Sequence, residues 1–560
     1  MKKTLFTALL SLTAFYAGAQ TVYDGLTFSK NEYFGTARSI ALGNAMTAVG
    51  GDLGSISLNP AGSAVAGYSQ FTITPGLSIS TSTASYSAYP VSGVDIFSNP
   101  QSSRLTRFTM PNFGTTVNWK TGRKYGLKSV TYGFVFNANN NYADKMIAGG
   151  INDKTSYLSS MAVNAQGFDV DFLNGYRDAA GREQDVWDYA YWNVDDQGIY
   201  PPWNDIVNAQ AGAIGVFGDI NDPDYYYRYI AATELFEDTG EIDEAGNHIY
   251  DIRLGGPLQQ TYGRRKTGSK YDALFNVGFN FSDRFYLGAN IGVVGMDYSY
   301  SEYFKEAAVD PADFPNRFED KTAYFNNYRS RYSYTADVSG VYAKIGFIAK
   351  PSDGLRIGAA IQTPTAMSVD ERWKHSVDIH YDGMDEGTAT SPEGEWGYEF
   401  RAPYRVNAGI AYTFFGMALL SFDYEMTDYS TMKFRDRDGY DDTFTALNSE
   451  IRQRMGKSNM FRLGAEIKPI PEIAVRAGYN FTDIPEYDNR TTLHDKINAY
   501  SVGLGYSSPG SFFADIAGRL TAFSDENISP YADYLADYAS PLILNKRERW
   551  DITLTLGWRF

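Results

Sequence analysis

The last eleven residues of the chain constrain its fold most. Trp550-Asp551-Ile552-Thr553-Leu554-Thr555-Leu556-Gly557-Trp558-Arg559-Phe560 alternates without a fault. Successive side chains of an extended strand point to opposite faces. Trp550, Ile552, Leu554, Leu556, Trp558 and Phe560 therefore share one face, and Asp551, Thr553, Thr555, Gly557 and Arg559 share the other. The first face is wholly apolar, with an aromatic residue at each end. A strand with hydrocarbon outside and a polar lumen inside needs this pattern, and its aromatics fall where membrane meets water.

The N-terminus points the same way. Lys2 and Lys3 precede an apolar run from Leu5 to Tyr16 and then Ala17-Gly18-Ala19. That is the order of a secretory signal peptide over residues 1–19, cleaved after Ala19 to leave Gln20 first. The 560 residues hold no Cys, so neither a lipid anchor nor a disulfide is expected. No later stretch approaches about twenty apolar residues, the length of a membrane helix. The membrane structure open to such a chain is a closed barrel, in which every backbone group is paired. Trp558 and Phe560 resemble the C-terminal signal by which the barrel assembly machinery recognises bacterial outer-membrane proteins. The expected location is the bacterial outer membrane, among its lipids. Forty-four Tyr and 35 Phe suit aromatic girdles. Ala143–Lys266 holds 21 acidic against 9 basic residues, a net of −12 out of −17 for the whole chain. This acidity excludes nucleic acid as a partner.

Residues 20–67 lack period-two alternation and are rich in Gly, Ala, Ser and Asn. They read as a hatch packed in a confined space. A short helix is expected over Thr36–Val49, ended by Gly50-Gly51, and a turn at Asn59-Pro60-Ala61. Residues 68–560 then read as a barrel. Alternating strands are expected over Gln70–Ser80, Phe108–Trp119, Val130–Asn137, Tyr271–Phe281, Phe285–Val293, Val338–Ala349 and Leu355–Thr363. They continue over Ala402–Phe414, Ala418–Tyr429, Phe461–Lys468, Ile473–Phe481, Ala499–Tyr506, Phe512–Ala522 and the final strand. The fold class is thus all-β, an antiparallel transmembrane barrel of about fourteen strands. Short turns should be periplasmic and long connections extracellular. Tyr142–Lys266 is too long for a bare loop and must carry structure of its own. A helix is expected at Asp224–Phe236, beside an aromatic cluster of Trp187, Tyr189, Tyr191, Trp192, Tyr200 and Trp203.

These parts in this order resemble the FadL/TodX family of outer-membrane transport proteins, in the form of its Bacteroidetes-like members. The resemblance rests on Gly35-Thr36-Ala37-Arg38 through Asp52 to Asn59-Pro60-Ala61-Gly62, and on the hairpin from Gly346-Phe347-Ile348-Ala349-Lys350-Pro351 to Gly358. It also rests on Phe422-Asp423-Tyr424, on Phe461 to Tyr479, and on Phe560. It implies a 14-stranded barrel, an N-terminal hatch and a kinked third strand that opens a lateral exit. It implies passive transport of long-chain fatty acids or similar lipidic or aromatic compounds, with release through the barrel wall. The segment Tyr142–Lys266 departs from the family in being far longer.

Consecutive asparagines favour turns over ladder pairing, so Asn137, Asn139 and Asn140 mark the expected wall kink. Val22, Leu26 and Phe28 are expected to fill the apolar pocket until a hydrophobic ligand displaces them. There is no P-loop and no Ser/His/Asp grouping, so neither ATP-driven transport nor catalysis is expected, and no cofactor or metal. The lumen-side charges Asp423, Glu425, Arg476, Asp515, Arg519 and Arg559 are expected to pair across the wall. Asp436–Asp442 is an acidic loop without EF-hand spacing. The alternatives are an interaction or secretion-associated barrel that binds a protein or surface polymer, and haem uptake through His375 or His380 with loop tyrosines.

Overall fold

The computed structural model describes residues 21–86, 99–177, 183–187, 201–217, 228–242, 248–318, 321–439, 443–487, 492–535 and 540–560. The expected signal peptide, Gln20 and Tyr189, Tyr191, Trp192 and Tyr200 lie outside these residues.

Fourteen strands close into one antiparallel barrel. They are β1 (Gln70–Tyr86), β2 (Gln101–Lys120), β3 (Leu127–Asn141 and Asp144–Asn152), β4 (Leu258–Phe281), β5 (Phe285–Ala308), β6 (Lys321–Ala349) and β7 (Leu355–Gln362 and Thr365–Asp382). The remainder are β8 (Gly394–Ala402 and Arg405–Phe414), β9 (Ala418–Asp428), β10 (Lys457–Ile470), β11 (Ile473–Tyr487), β12 (Thr492–Ser507), β13 (Phe512–Ala522) and β14 (Ile543–Arg559). Each pairs with its sequence neighbour, and β14 returns to β1 from Arg559↔Gln70 to Ile543↔Tyr86. Phe560 N–H donates to Ser69 O at 3.0 Å, and Ser69 N–H donates to Phe560 O at 3.1 Å, so the terminal residue takes part in the seam.

The alternation of β14 maps onto the wall as expected. Trp550, Ile552, Leu554 and Trp558 are 40–50 % exposed on the outside, and Asp551, Thr553 and Thr555 are buried toward the lumen. The same belt recurs on every side, with Phe275, Ile291, Val341, Ile410, Leu463 and Val502 outside. Asn276, Asn290, Lys344, Asn407 and Arg462 are turned inward from the same strands. A closed barrel that is apolar outside and polar inside spans the bacterial outer membrane.

Several strands are longer than the alternation predicts, most of all at the end away from the short turns. β4 begins at Leu258 rather than Tyr271, β5 runs to Ala308 rather than Val293, and β6 begins at Lys321 rather than Val338. In these extensions both faces carry polar and aromatic residues, because neither faces lipid. The ladder continues regardless, as in Leu258↔Ala308. The wall therefore rises above the membrane, and the connection between β3 and β4 is seated on it. Its helices α4 (Tyr157–Ala165) and α6 (Trp203–Gln210), numbered after α1–α3 below and α5 (Val170–Asn174), share a core with Phe304, Phe325, Tyr328, Tyr381 and Tyr531. Tyr157 stacks on Phe304 at 4.9 Å, and Trp187 meets Trp203 at 5.4 Å.

The helix expected over Asp224–Phe236 is absent where the structure is described. Arg228–Ala231 pairs with Ile214–Phe217, and Glu234–Ile242 pairs with His248–Leu254. Spacing of three and four residues suggested a helical face, but strand pairing of β-formers such as Tyr229 and Ile230 prevailed. The N-terminal segment holds three short helices, α1 (Val22–Ser29), α2 (Ala37–Ala41) and α3 (Gly62–Val65). The helix expected over Thr36–Val49 is thus only five residues long. Thr36 caps it by accepting from Ser39 N–H, and Gly43 and Asn44, both at left-handed φ, end it early.

Candidate functional site

Residues 41–64 run round the inner wall close to its backbone. A Cβ on Gly503, Gly478, Gly464, Gly409, Gly358, Gly346, Gly288 or Gly278 would collide with successive residues of this coil. Those residues are Ala41, Gly43, Leu42, Thr47, Thr47, Asn59, Ala61 and Ser63. The coil thereby tracks from β12 across to β4. Three of the glycines stand side by side, Gly278↔Gly288 across β4 and β5 and Gly288↔Gly346 across β5 and β6. Only a side chain reduced to hydrogen lets two backbones approach so closely.

Asn59-Pro60-Ala61 lies on this track. Asn59 Nδ2 donates to Thr47 O at 2.7 Å and to Phe347 O at 2.9 Å, while its Oδ1 accepts from Ala61 N–H at 3.1 Å. One buried side chain thus ties two turns of the coil to β6. Asn276 Nδ2 reaches Pro60 O at 3.0 Å. Basic wall residues hold further carbonyls. Lys344 Nζ donates to Ser57 O, Arg356 to Val49 O, Arg519 to Tyr33 O, and Lys270 Nζ to Phe28 O, at 2.6–2.9 Å. Arg405 donates to Ser29 O. Lys270 and Arg405 thereby sit at the C-terminus of α1, where cations complement the helix dipole. Alternation alone missed these clamps. The available signal was a Lys or Arg at the lumenal parity of a strand, as at Lys270 and Lys344.

α1 occupies an apolar chamber formed by β5–β8 and by the loop after β9, which carries helix α7 (Thr445–Arg454). Val22, Leu26 and Phe28 are all buried there. Phe28 meets Phe400 edge-on at 5.8 Å, and Phe400, Phe434, Phe444 and Tyr398 continue the aromatic wall. Gly25 faces the rings of Phe434 and Phe400, where a Cβ would come within 3.1 and 3.3 Å.

Beside α1 the lumen holds a cavity of 570 Å³. Leu26, Tyr142, Tyr298, Met455 and Ile484 make an apolar flank. Lys266, Arg519, Phe523, Glu526 and Arg547 make a charged one. Arg547 stacks on Phe523 at 3.5 Å from the ring centroid. Gly43 and Asn44 contribute from the coil. A second, smaller cavity of 220 Å³ is lined by Arg38, Asp52, Gln70, Lys468 and Asp515. Its residues from β10, β12, β13 and β14 include the strand ends beside the short turns.

The wall is interrupted beside the larger cavity. β2 and β3 pair from Lys120↔Ser129 only as far as Asn112↔Asn137. Beyond that point β2 keeps its partner β1, with a register shift around Pro75 and Pro111, neither of which has an N–H to donate. β3 keeps its partner β4, with a register irregularity at Asn139, between Ala138↔Tyr271 and Asn140↔Lys270. Instead of β2, the N-terminal segment meets this stretch. Glu32 N–H donates to Asn139 O at 2.7 Å and Phe34 N–H to Ala138 O at 3.0 Å. Asn141 Nδ2 reaches Ser78 Oγ on the lumenal face of β1 at 2.8 Å. Asn137, Asn139 and Asn140 are all buried.

Among the lumen-side charges, Glu425 pairs with Arg405 and Arg462, Arg476 with Glu466 and Asp515, and Arg519 with Asp551. Two of the six, Asp423 and Arg559, make no ion pair among the described residues. Asp423 accepts from Thr47 N–H at 2.7 Å, because the coil passes over it. Arg559 lies against the rings of Tyr68 and Phe513 and donates to Ser507 Oγ. The ring of His375 lies tilted against that of Tyr332, with centroids 4.7 Å apart, and His380 lies beside Asp382 and Glu386. In the acidic loop Arg437 pairs with Asp370, and residues 440–442 lie outside the described residues.

No family model matches the chain, and no curated protein matches it. Solved structures do. A FadL homologue from Pseudomonas aeruginosa is 10 % identical, with 95 % of this chain and 98 % of the other covered at a TM-score of 0.45. The toluene transporter TodX of P. putida is also 10 % identical, covering 94 % and 99 % at 0.45. The toluene transporter TbuX of Ralstonia pickettii is 12 % identical, covering 95 % and 99 % at 0.42.

Proposed function

We propose that this chain is a FadL/TodX-type passive transporter for hydrophobic compounds, long-chain fatty acids or similar lipidic or aromatic molecules, which it releases sideways through its wall. One observation carries the reading. Asn140, Asn141 and Tyr142 line the 570 Å³ cavity and belong to the stretch of β3 that has left β2. The cavity and the interruption in the wall are therefore contiguous. The coil over residues 41–64 floors the lumen, so a ligand in the cavity leaves by the side, into lipid, where its apolar surface is better solvated than in water. Val22, Leu26 and Phe28 act as the ligand's stand-in, and the asparagine run marks the parting of the wall, with Asn137 the last residue paired to the second strand and Asn139 and Asn140 in the stretch that has left it. Trp558 and Phe560 serve assembly.

The test is uptake of radiolabelled oleate and toluene by cells that lack other routes, with lipid extraction and mass spectrometry of the purified protein. Uptake above that of empty cells is expected, and equal uptake for every compound defeats the proposal. A docking role for a protein or surface polymer has its own support in the acidic segment between β3 and β4, whose described helices share a core with the raised wall. Loss of partner binding without loss of uptake, on trimming that segment, is its expected signature.

A further inference from the structure

Three strands meet at one backbone oxygen. Gly268 O on β4 accepts from Tyr142 N–H, at the break in β3, at 3.2 Å. It also accepts from Arg107 Nη1, on β2, at 3.0 Å. Gly268 has φ +120, and a Cβ on it would run into the backbone of Asp297, so no other residue takes this shape comfortably. Its bond to Tyr142 N–H falls in register between Ser269↔Asn141 and Lys266↔Asp144, so the same oxygen that carries the β3–β4 ladder across the break in β3 also takes the guanidinium from β2.

Arg107 is well placed to matter. Between Gln101 and Pro111, β2 has a ladder partner on the β1 side only. Side-chain hydrogen bonds from three residues bridge its other edge among the described residues. Asn112 to Asn137 lies at the base, Gln101 to Gly149 O at the top, and Arg107 to Gly268 O between them. Only the middle one carries a charge, and a hydrogen bond from a guanidinium is stronger than one from an amide. Phe108, next along β2, is 70 % exposed on the outer surface. It lies eleven residues from Trp119, which at about 3.3 Å per residue and a tilt near 40° is about 28 Å higher. Arg107 therefore stands level with the outer edge of the apolar belt, and, being paired with Ser78 and adjacent to outward-facing Phe108, it points to the lumenal face.

We propose that Arg107 is the latch of the wall interruption, a positioning residue that must leave Gly268 O before a ligand passes between β2 and β3. The inference rests on the transport reading for its purpose but not for its geometry. The experiment compares Arg107→Ala, Arg107→Lys and Arg104→Ala, the last being an exposed arginine on the same strand that makes no hydrogen bond among the described residues. Uptake of radiolabelled oleate is measured in cells, and backbone hydrogen exchange of residues 138–142 is measured on the folded barrels. Arg107→Ala should raise the uptake rate at least threefold and accelerate exchange at Ala138–Tyr142, Arg107→Lys should fall between it and wild type, and Arg104→Ala should match wild type. Equal exchange in Arg107→Ala and wild type overturns the latch, as does slower uptake in a folded Arg107→Ala barrel. If wild type takes up nothing while Arg107→Ala alone still loosens residues 138–142, the latch stands and the transport reading falls.

Discussion

Replacing Asn59 by Ala should free part of the plug without opening the wall. The side chain is fully buried and makes three hydrogen bonds, two to the carbonyls of Thr47 and Phe347 and one from Ala61 N–H. At about 1 kcal/mol each, their loss weakens the coil by about 3 kcal/mol. Since about 1.4 kcal/mol is a factor of ten, local opening becomes roughly a hundredfold more frequent. Gly62 N–H, bonded to Asn59 O, and Gly51 N–H, bonded to Gly62 O, report that opening by native-state hydrogen exchange. Their exchange should accelerate by about two orders of magnitude. Amides of the β4–β5–β6 ladder, which Asn59 does not help to form, should keep their protection. Asn59→Asp should be worse than Asn59→Ala, because it turns a carboxylate oxygen toward two carbonyls in a dry site. Unchanged exchange at Gly51 and Gly62 in Asn59→Ala would refute the assignment of Asn59 as the anchor. Equal loosening of the ladder would show that plug and wall open as one unit.

Deleting Phe560 removes both backbone bonds to Ser69 and the terminal aromatic, and should lower the yield of heat-modifiable barrel in the outer membrane; an unchanged yield would leave the residue without an assembly role. Glu425→Gln strands the guanidinium of Arg462, which is fully buried, and should destabilise the folded barrel by about 3–5 kcal/mol, read as a lower temperature for the gel-mobility shift. Glu306, above the membrane, caps α4 by accepting from Tyr157 N–H at 2.7 Å, and burial raises it from 4.5 to about 7. Its native form holds a proton that the unfolded chain releases, so this site favours folding below pH 4.5 and loses that advantage, up to about 3 kcal/mol, as pH rises through 7. Limited proteolysis of the β3–β4 segment should be slower at pH 5.5 than at pH 8, and Glu306→Gln should flatten the difference.

How much of this was legible in the sequence depends on what each residue faces. Trp550 to Phe560 could be read because lipid and lumen impose opposite demands on alternate residues. Where β5 climbs past Val293 toward Ala308 those demands vanish, and with them the signal, although the ladder persists. The helix expected over Thr36–Val49 fails for a related reason. Its small residues were read as helix-forming, but they are small because Gly478 and Gly464 bring the wall against them. The asparagine run drew attention by residue type, since asparagines repay a break in pairing, and the β2–β3 ladder ends at Asn137 with a register irregularity at Asn139. Nothing in the sequence marked the carbonyls of Phe28, Ser57 or Gly268 as meeting points for Lys270, Lys344 and Arg107, because a backbone oxygen has no letter of its own.

The two parts of the plug are held by different forces, which sets the kind of ligand that can move one without the other. The coil over residues 41–64 is bound through hydrogen bonds and backbone contact with glycines, which a hydrocarbon cannot replace. α1 is bound largely through Val22, Leu26 and Phe28, which a hydrocarbon can replace. Burying those three side chains is worth about 6 kcal/mol, the equivalent of about eight methylene groups. The hydrogen bonds α1 gives up at Lys270 and Arg405 and the backbone freedom it regains act in opposite directions. On the proposed function, then, alkyl carboxylates of about eight carbons or fewer should leave α1 in place, and longer ones should displace it. The chain has no Cys, so Tyr23→Cys, at a site 49 % exposed, takes a single environment-sensitive dye. Titration with six-, ten-, fourteen- and eighteen-carbon acids should shift its emission only beyond the threshold. A six-carbon acid as effective as the eighteen-carbon one would show that something other than apolar replacement moves the helix. No shift at any length would show that α1 is part of the fixed floor.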